Sequence, residues 1–497
     1  MKTIKQILVA VVVLALCSCN KTEYLKVIPA EANVVMSIDV KSLSEKSDFA
    51  KSHLMSMMQE GIEGQASNKQ SKEMKKYIDD PMSMGIDWRQ PLYMFVVGNE
   101  AYTAGCVAKV NNKDDLNEFF TLLFKQGIVS KPKDEKGFMC GTTERLSYAF
   151  DDNTLLMCFS DRNEEGEKFA LELMEQDEDK SFLSTEAFDK MENVAGQDVV
   201  CYLNMGLLPD YMAKQFTDAS KVKPQDLALV SGLDFSKGAA TLTTKLWGQT
   251  ETAQKLLDKS YDGYMKMEGC YVDEQPDDVL FWMGMGIKGE PVLKQLKKNK
   301  QAIEALFMME RAVDIEQMLR SVEGDVALSV SSSVLENMQR YRGDMPEFSI
   351  KARLKNDDFL KDVEDWKENM GDFGFNMQTT GKKAYLLSSR RLTLHWGVDD
   401  KDLYFATPKA YQQMRDTKQG SVLQAYKKEI KHSKVFAYLN LQEILKQTKG
   451  MLQYVSMVGV NLNDLKAVVM KSDGNDELVI RVEMDNDDEN FLKQLIQ

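Results

Sequence analysis

Four stretches of the chain share one order of apolar and polar positions. They are NVVMSIDVKSL (Asn33–Leu43), VVCYLNMGLL (Val199–Leu208), VLFWMGMGIKG (Val279–Gly289) and VFAYLNLQEIL (Val435–Leu445). In each, an apolar run of strand character reaches Asp39, Asn204, Gly286 or Asn440, and apolar residues at helical spacing follow. Asp, Asn and Gly all suit an N-cap, where a side-chain oxygen or a bare backbone serves the unpaired N–H groups of a helix start. The pattern therefore predicts four strand-to-helix turns capped at these residues.

Each module is followed by a second strand: AGCVAKV (Ala104–Val110), AATLTTKL (Ala239–Leu246), FSIKARL (Phe348–Leu354) and LVIRVEM (Leu478–Met484). These alternate, so that Phe348, Ile350, Ala352 and Leu354 share one face, as in a half-buried antiparallel strand. The polar segments NNKDDL, GQTETA, KNDDFL and DNDDEN then start further helices. The first of those helices carries Leu116, Phe119, Phe120, Leu123 and Phe124, the stripe of a helix packed on a sheet. The repeating unit is strand, helix, hairpin, helix, which places the chain in the α+β class with mostly antiparallel sheets and resembles a split ferredoxin-like unit. A longer repeat lies over it: the hairpin LSYAFDDNTLLMCF (Leu146–Phe159) has a counterpart in LTLHWGVDDKDLYF (Leu392–Phe405). Two duplicated halves are expected, about 31–262 and 276–497, joined by the polar stretch Asp273–Asp278.

The N-terminus has a different grammar. Lys2 and Lys5 precede the apolar run Ile7–Leu16, and CSCN follows. This is the layout of a secretory leader, too short to remain as a membrane-spanning helix. A peptidase that lipidates cysteine wants an apolar residue at −3 and a small one at −1, which Leu16-Cys17-Ser18 supplies before Cys19. Residues 1–18 are thus expected to be a signal peptide and 19–30 a lipidated N-terminus and tether, with Cys17 as the alternative lipidation site. An ordinary secreted protein is the third possibility.

Composition narrows the class. With 43% hydrophobic residues over 497 positions, the chain can bury packed cores. Its net charge of -14, from 63 basic and 77 acidic residues, argues against nucleic acid, whose phosphates need a clustered basic surface. Five cysteines lie beyond the leader, Cys106, Cys140, Cys158, Cys201 and Cys270, with no C-x-x-C pair. The expectation is buried structural thiols, with one disulfide involving Cys140 or Cys270 as the alternative.

Two segments carry a resemblance. YLKVIPAEANVVMSIDVKSL resembles the start of the envelope lipoproteins of gut anaerobes grouped as domain of unknown function 4836, and AFDKMENVAGQDVVCYLNM is similar to a recurring element of that family. The resemblance implies an envelope lipoprotein and brings no catalytic residues with it.

Several strings suggest chemistry and each has a plainer reading. Gly284, Gly286 and Gly289 spell G-x-G-x-x-G, but a helical pattern stands where the acid-ending second strand of a dinucleotide site is required, so no cofactor is expected. The acids of DNDDEN (Asp485–Asn490) are contiguous and lack the spacing of a calcium loop; negative charge at a helix start explains them. His53, Met55, Met57 and Met58 could suit Cu(I), yet 31 methionines spread along the chain read better as core packing. His53, His395 and His432 are the only histidines, and no H-E-x-x-H, G-x-S-x-G or P-loop string occurs. No catalytic, cofactor or metal residue is therefore assigned.

One feature recurs. Just before the last apolar residue of each second strand stands a cation: Lys109, Lys245, Arg353 and Arg481. Alternation turns all four away from the apolar face. Either each pairs with a nearby carboxylate, or together they form a basic surface for an anionic ligand or an acidic partner. The sequence as a whole reads as a lipid-anchored protein of the cell envelope, in the outer membrane at its periplasmic face or at the cell surface. It is expected to serve as a non-enzymatic scaffold or binding protein for an envelope protein or a glycan. A cryptic two-carboxylate hydrolase is the alternative.

Overall fold

The computed structural model describes residues 22–496 except 53–54, 57–68, 99–102, 144, 161–165, 195, 209–221, 276–278, 299–301, 305, 307–309, 311, 336–345, 391, 416–420, 447–459 and 475. The leader, Cys19 and the His53, Met57 and Met58 cluster lie outside the described residues. Helix and strand both run the length of the chain, and every strand pairing given below is antiparallel. Two compact units result: one contains Met1–Ala213, Pro224–Phe235 and Leu492–Gln497, the other Lys214–Lys223 and Ser236–Phe491.

The first unit carries β1 (Val34–Ile38), β2 (Leu92–Val97), β3 (Thr103–Lys109), β4 (Lys133–Glu135), β5 (Phe138–Thr142), β6 (Leu146–Phe150), β7 (Thr154–Ser160), β8 (Val199–Asn204) and β9 (Leu227–Ser236). Their order across the sheet is β9-β8-β1-β2-β3-β7-β6-β5-β4. Val35, Phe95, Val107, Leu156 and Tyr202 share one face and are buried. Tyr24 and Leu25 pack on this side, with Tyr24 edge-on to Tyr93 at 6.2 Å. Helix α1 (Val40–Ser47) follows β1, and on the other face α2 (Lys113–Lys125) lays Leu116 and Phe120 against Ala108, Tyr148, Phe150 and Leu155. Burying each large apolar side chain contributes about 1.5–3 kcal/mol, so this stripe does more to hold α2 than its helix propensity does.

The second unit begins with β10 (Ala239–Gly248), the short β11 (Tyr264–Met265), β12 (Val279–Lys288) and β13 (Val322–Ser331). After them come β14 (Phe348–Leu354), β15 (Asn376–Gly381), β16 (Ala384–Ser388), β17 (Thr393–Asp399), β18 (Asp402–Ala406), β19 (Val435–Asn440), β20 (Leu465–Ser472) and β21 (Glu477–Met484). Its order is β10-β21-β20-β19-β12-β13-β14-β18-β17-β16-β15. From β20 to β15 this repeats, strand for strand, the order from β9 to β4. β10 pairs with β21 from Ala239↔Glu483 to Lys245↔Glu477, which ties this strand to the second unit.

Two expectations need correction. A split ferredoxin-like unit would set its first two strands parallel with another between them, whereas β1 pairs directly and antiparallel with β2, and β12 with β13. Periodicity marks the elements and carries no information about which neighbour a strand takes. Gly286 is not a cap: β12 runs on to Lys288, which is itself the N-cap of α3 (Gly289–Leu296). The three glycines instead permit close approach, since a Cβ on Gly286 would lie 2.2 Å from the Met265 carbonyl oxygen and one on Gly289 1.6 Å from that of Leu319. The other three caps form as expected, Asp39 accepting from Ser42 N at 2.8 Å, Asn204 from Gly206 N at 2.8 Å and Asn440 from Glu443 N at 3.3 Å.

Two apolar clusters lie among the described residues of the second unit. One gathers Trp282, Tyr426, Ile430, Phe436, Tyr438 and Val469. The other lies between α4 (Ile315–Ser321), α5 (Val363–Asp372) and β15 to β18, where Trp366, Trp396, Phe359 and Leu403 meet. Beside the two tryptophans is a pocket of about 110 Å³.

Candidate functional site

The four cations take different surroundings. Lys109 ends β3 in the first unit; its backbone carbonyl accepts from Asp87 N at 2.8 Å. The Asp87 carboxyl is held low chiefly by Arg89, whose Nε donates at 2.7 Å, with Lys109 adding to the same field. Lys245 lies 3.0 Å from Glu477, its cross-strand partner. Arg353 Nε is 3.0 Å from Asp402 Oδ1, again directly across the ladder, though without good N–H alignment. Tyr271 donates its hydroxyl to that same carboxylate oxygen at 2.7 Å. Burial raises the pKa of the Tyr271 hydroxyl, and burial pushes the neighbouring Cys270 thiol up to about 11.

Arg481 has the richest setting. Alternation on β21 brings it to the face covered by α6 (Lys427–His432), whose Ile430 is anchored in the core and whose Glu429 then faces the sheet. The guanidinium grips Glu429 with both arms, Nη2 to Oε1 at 2.9 Å and Nη1 to Oε2 at 3.2 Å, while Nε reaches Glu483 at 2.8 Å. Lys471 adds a third cationic contact to Glu429 at 2.7 Å. Burial alone would raise the Glu429 pKa, but Arg481 and Lys471 outweigh it and hold the carboxyl at about 2. Two-armed pairing of this kind fixes both side chains in one geometry.

A cleft of about 570 Å³ opens at this network, with Lys266, Lys428, Glu429, His432, Lys471 and Glu477 on its wall. The structure thus brings Lys245, through Glu477, and Arg481, through Glu429, to one cleft of the second unit, while Arg353 stands on β14. Each of these three cations is matched by a carboxylate, so they form a balanced ionic surface and not a free basic one. Sequence reading found the cations and missed Glu429, Lys428, Lys266 and Lys471. The string KKEIKH was the available signal for α6, but its register against β20 and β21 is set by tertiary packing.

The remaining candidates resolve simply. His395 stacks flat on Tyr411 at 4.2 Å, and burial lowers its pKa. His432 Nδ1 lies 2.7 Å from the Lys428 carbonyl. Asp485, in the segment weighed for calcium, accepts from the Gln442 amide at 2.6 Å and 2.7 Å. Glu135, Cys140 and Glu167 converge closely, yet Lys133 sits 2.7 Å from one carboxylate and 2.6 Å from the other, so a cation already serves them. All five described cysteines are free thiols, so no disulfide involves Cys140 or Cys270.

A repeated antiparallel α+β architecture with a balanced ionic cleft and no assigned reaction is the class that these observations define. Within that class the family is clear: the model of Domain of unknown function (DUF4836) matches residues 24–490, and the chain belongs to that family. No curated protein matches it. Among solved structures it is similar to crystal form III of TP0453, at 15% identity over 50% of this chain and 89% of that one, with a TM-score of 0.29. Crystal form IV of TP0453 gives 16% identity over 45% of this chain and 80% of that one, with a TM-score of 0.27. Likeness this distant carries no functional argument.

Proposed function

We propose that the chain is a lipid-anchored protein of the cell envelope, tethered through Cys19 at the outer membrane, which works as a non-enzymatic scaffold or binding protein. The leader and its cysteine support the address. One observation carries the choice of binding over catalysis: Glu429, a carboxylate on the wall of the cleft, is held as an ion at about 2 by Arg481 and Lys471. A general acid or base needs a pKa near the working pH. An ionised, doubly engaged carboxylate suits a shaped surface and not proton transfer.

The hydrolase alternative calls for two carboxylates pushed apart, and Glu310 and Glu316 do shift in opposite directions. Burial raises Glu310, and Lys297 lowers Glu316. That pair sits at a helix start, where Glu310 accepts from the Glu316 backbone N–H at 2.7 Å, which favours capping over catalysis.

The test is crosslinking in intact cells, followed by capture of tagged wild type and of a Cys19→Ala variant. A stoichiometric envelope partner that disappears with the anchor is the expected result. Capture of no partner by a folded, membrane-bound wild type would overturn the scaffold reading. Reversing charge at Lys245 and Arg481 together then asks whether the ionic cleft is the docking face; undiminished capture would place docking elsewhere.

A further inference from the structure

We propose that the pocket between α4, α5 and β15 to β18 is a binding site for a hydrocarbon group of about the size of benzene. Its wall is made by Met318, Trp366, Met370, Met377, Trp396 and Phe405 with their aliphatic neighbours, and among the described residues it offers no polar atom. The argument has three parts, none of which depends on the envelope reading.

The first is what the space can hold. An ordered water needs two to four polar partners, and among the described residues this half-open wall supplies none, so water there is readily displaced by an apolar group. An engineered apolar cavity of about 150 Å³ stays dry and takes up benzene or xenon, so about 110 Å³ suits a ring or the last few carbons of a chain.

The second is the nature of the wall. Tyr385 stacks on Trp396 at 4.5 Å and Phe405 lies 6.0 Å from it, which fixes one side as rigid aromatic surface. Three methionines line the same pocket. Thioether side chains adapt to irregular apolar ligands and contact aromatic rings favourably, so rigid and adjustable wall are combined.

The third is that the fold does not require the space. In the first unit the matching place beneath α2 holds stacked rings: Phe120 lies on Tyr148 at 4.2 Å and on Phe150 at 5.4 Å. In the second unit Trp366 and Trp396 stand 6.1 Å apart and tilted by 34°. The same strand order thus stacks aromatic rings beneath the helix in one unit and leaves an apolar pocket in the other.

Hydrocarbon of this size could come from a free small molecule or from the end of an acyl chain, and the experiment separates the two. The full chain, freed of detergent, is titrated with benzene by calorimetry, and the same titration is run on Leu387→Phe and on Met318→Phe, each of which adds bulk to the wall. The expected result is saturable one-to-one binding to wild type, weakened at least tenfold in whichever filled variant keeps a cooperative melt. Absence of saturable binding to folded wild type, or equal binding by a folded, filled variant, would overturn the proposal. A second titration in the presence of decanoate below its micelle concentration assigns the source. Displacement of benzene by decanoate means that the site takes acyl ends; benzene binding unaffected by decanoate means that it takes small free hydrocarbons.

Discussion

The helix that follows β3 and the helix that follows β14 hold corresponding places, and their cores differ in one instructive way. Leu116 and Phe359 are the first fully buried residues after their strands, each 0% exposed. Four positions on, the first unit has Phe120 and the second Val363, both buried. Phe120 reaches two aromatic rings of the hairpin, whereas the aromatic bulk of the second unit sits later, at Trp366, and stacks on Phe359 at 6.1 Å. One architecture therefore accepts both a core of stacked rings beneath its helix and a pocketed one, and side-chain bulk at a single helical turn marks the difference. Total volume and pattern are enough to specify a fold; close fit is a separate property.

The comparison can be broken most forcefully at Phe120. Phe120→Ala should destabilise the first unit by about 3–5 kcal/mol in urea unfolding, because the removed ring leaves a cavity in tight packing. A loss under about 1 kcal/mol would mean that this core is no better filled than its counterpart. A smaller effect of opposite sign separates the two units: Leu116→Phe should cost about 1–3 kcal/mol by overpacking, while Leu387→Phe in the second unit should be neutral or stabilising. Equal losses would remove the distinction.

The ionic cleft supplies the next test. Glu429 has a folded pKa depressed from the ordinary 4.5 to about 2, so its contribution is full above about 4.5 and is lost as pH falls through about 2. The stability gap between wild type and Arg481→Met should therefore shrink on acidification from pH 5 toward pH 2. A gap that stays constant would show that Arg481 acts through packing alone. Smallest of all, Lys245→Ala removes an exposed pair whose lysine is 52% exposed, and it should change stability by about 0–1 kcal/mol, less in high salt.

Much of the secondary structure was legible because it depends on local rules. Asp39, Asn204 and Asn440 cap helices, and FSIKARL is β14 end to end. Gly286 misled because its flexibility serves a close backbone approach to Met265, a tertiary fact, in place of a helix turn. Strand neighbours were likewise hidden: nothing in the apolar rhythm of β1 or β2 says that they pair directly. At the cleft, Arg481 lies on the face of its cross-strand partner Val469, a core residue, and not on a face apart from the core; Glu429 lies 52 positions away in sequence and meets it only through the packing of α6. The pocket was the least visible feature, since it depends on how rings tilt and not on which residues are apolar.

The β10 to β21 ladder has a consequence for the order of assembly. Ala239 and Glu483 are neighbours in the sheet but almost half the chain apart in sequence, so one edge of β10 has no native partner until nearly the whole polypeptide has been made. An open edge is a template for mispairing with other chains. Charged Lys245 on this strand and the polar threonines Thr241, Thr243 and Thr244 blunt that edge during the wait. Truncation before β21 should therefore yield aggregates sooner than it yields a shortened, well-folded protein.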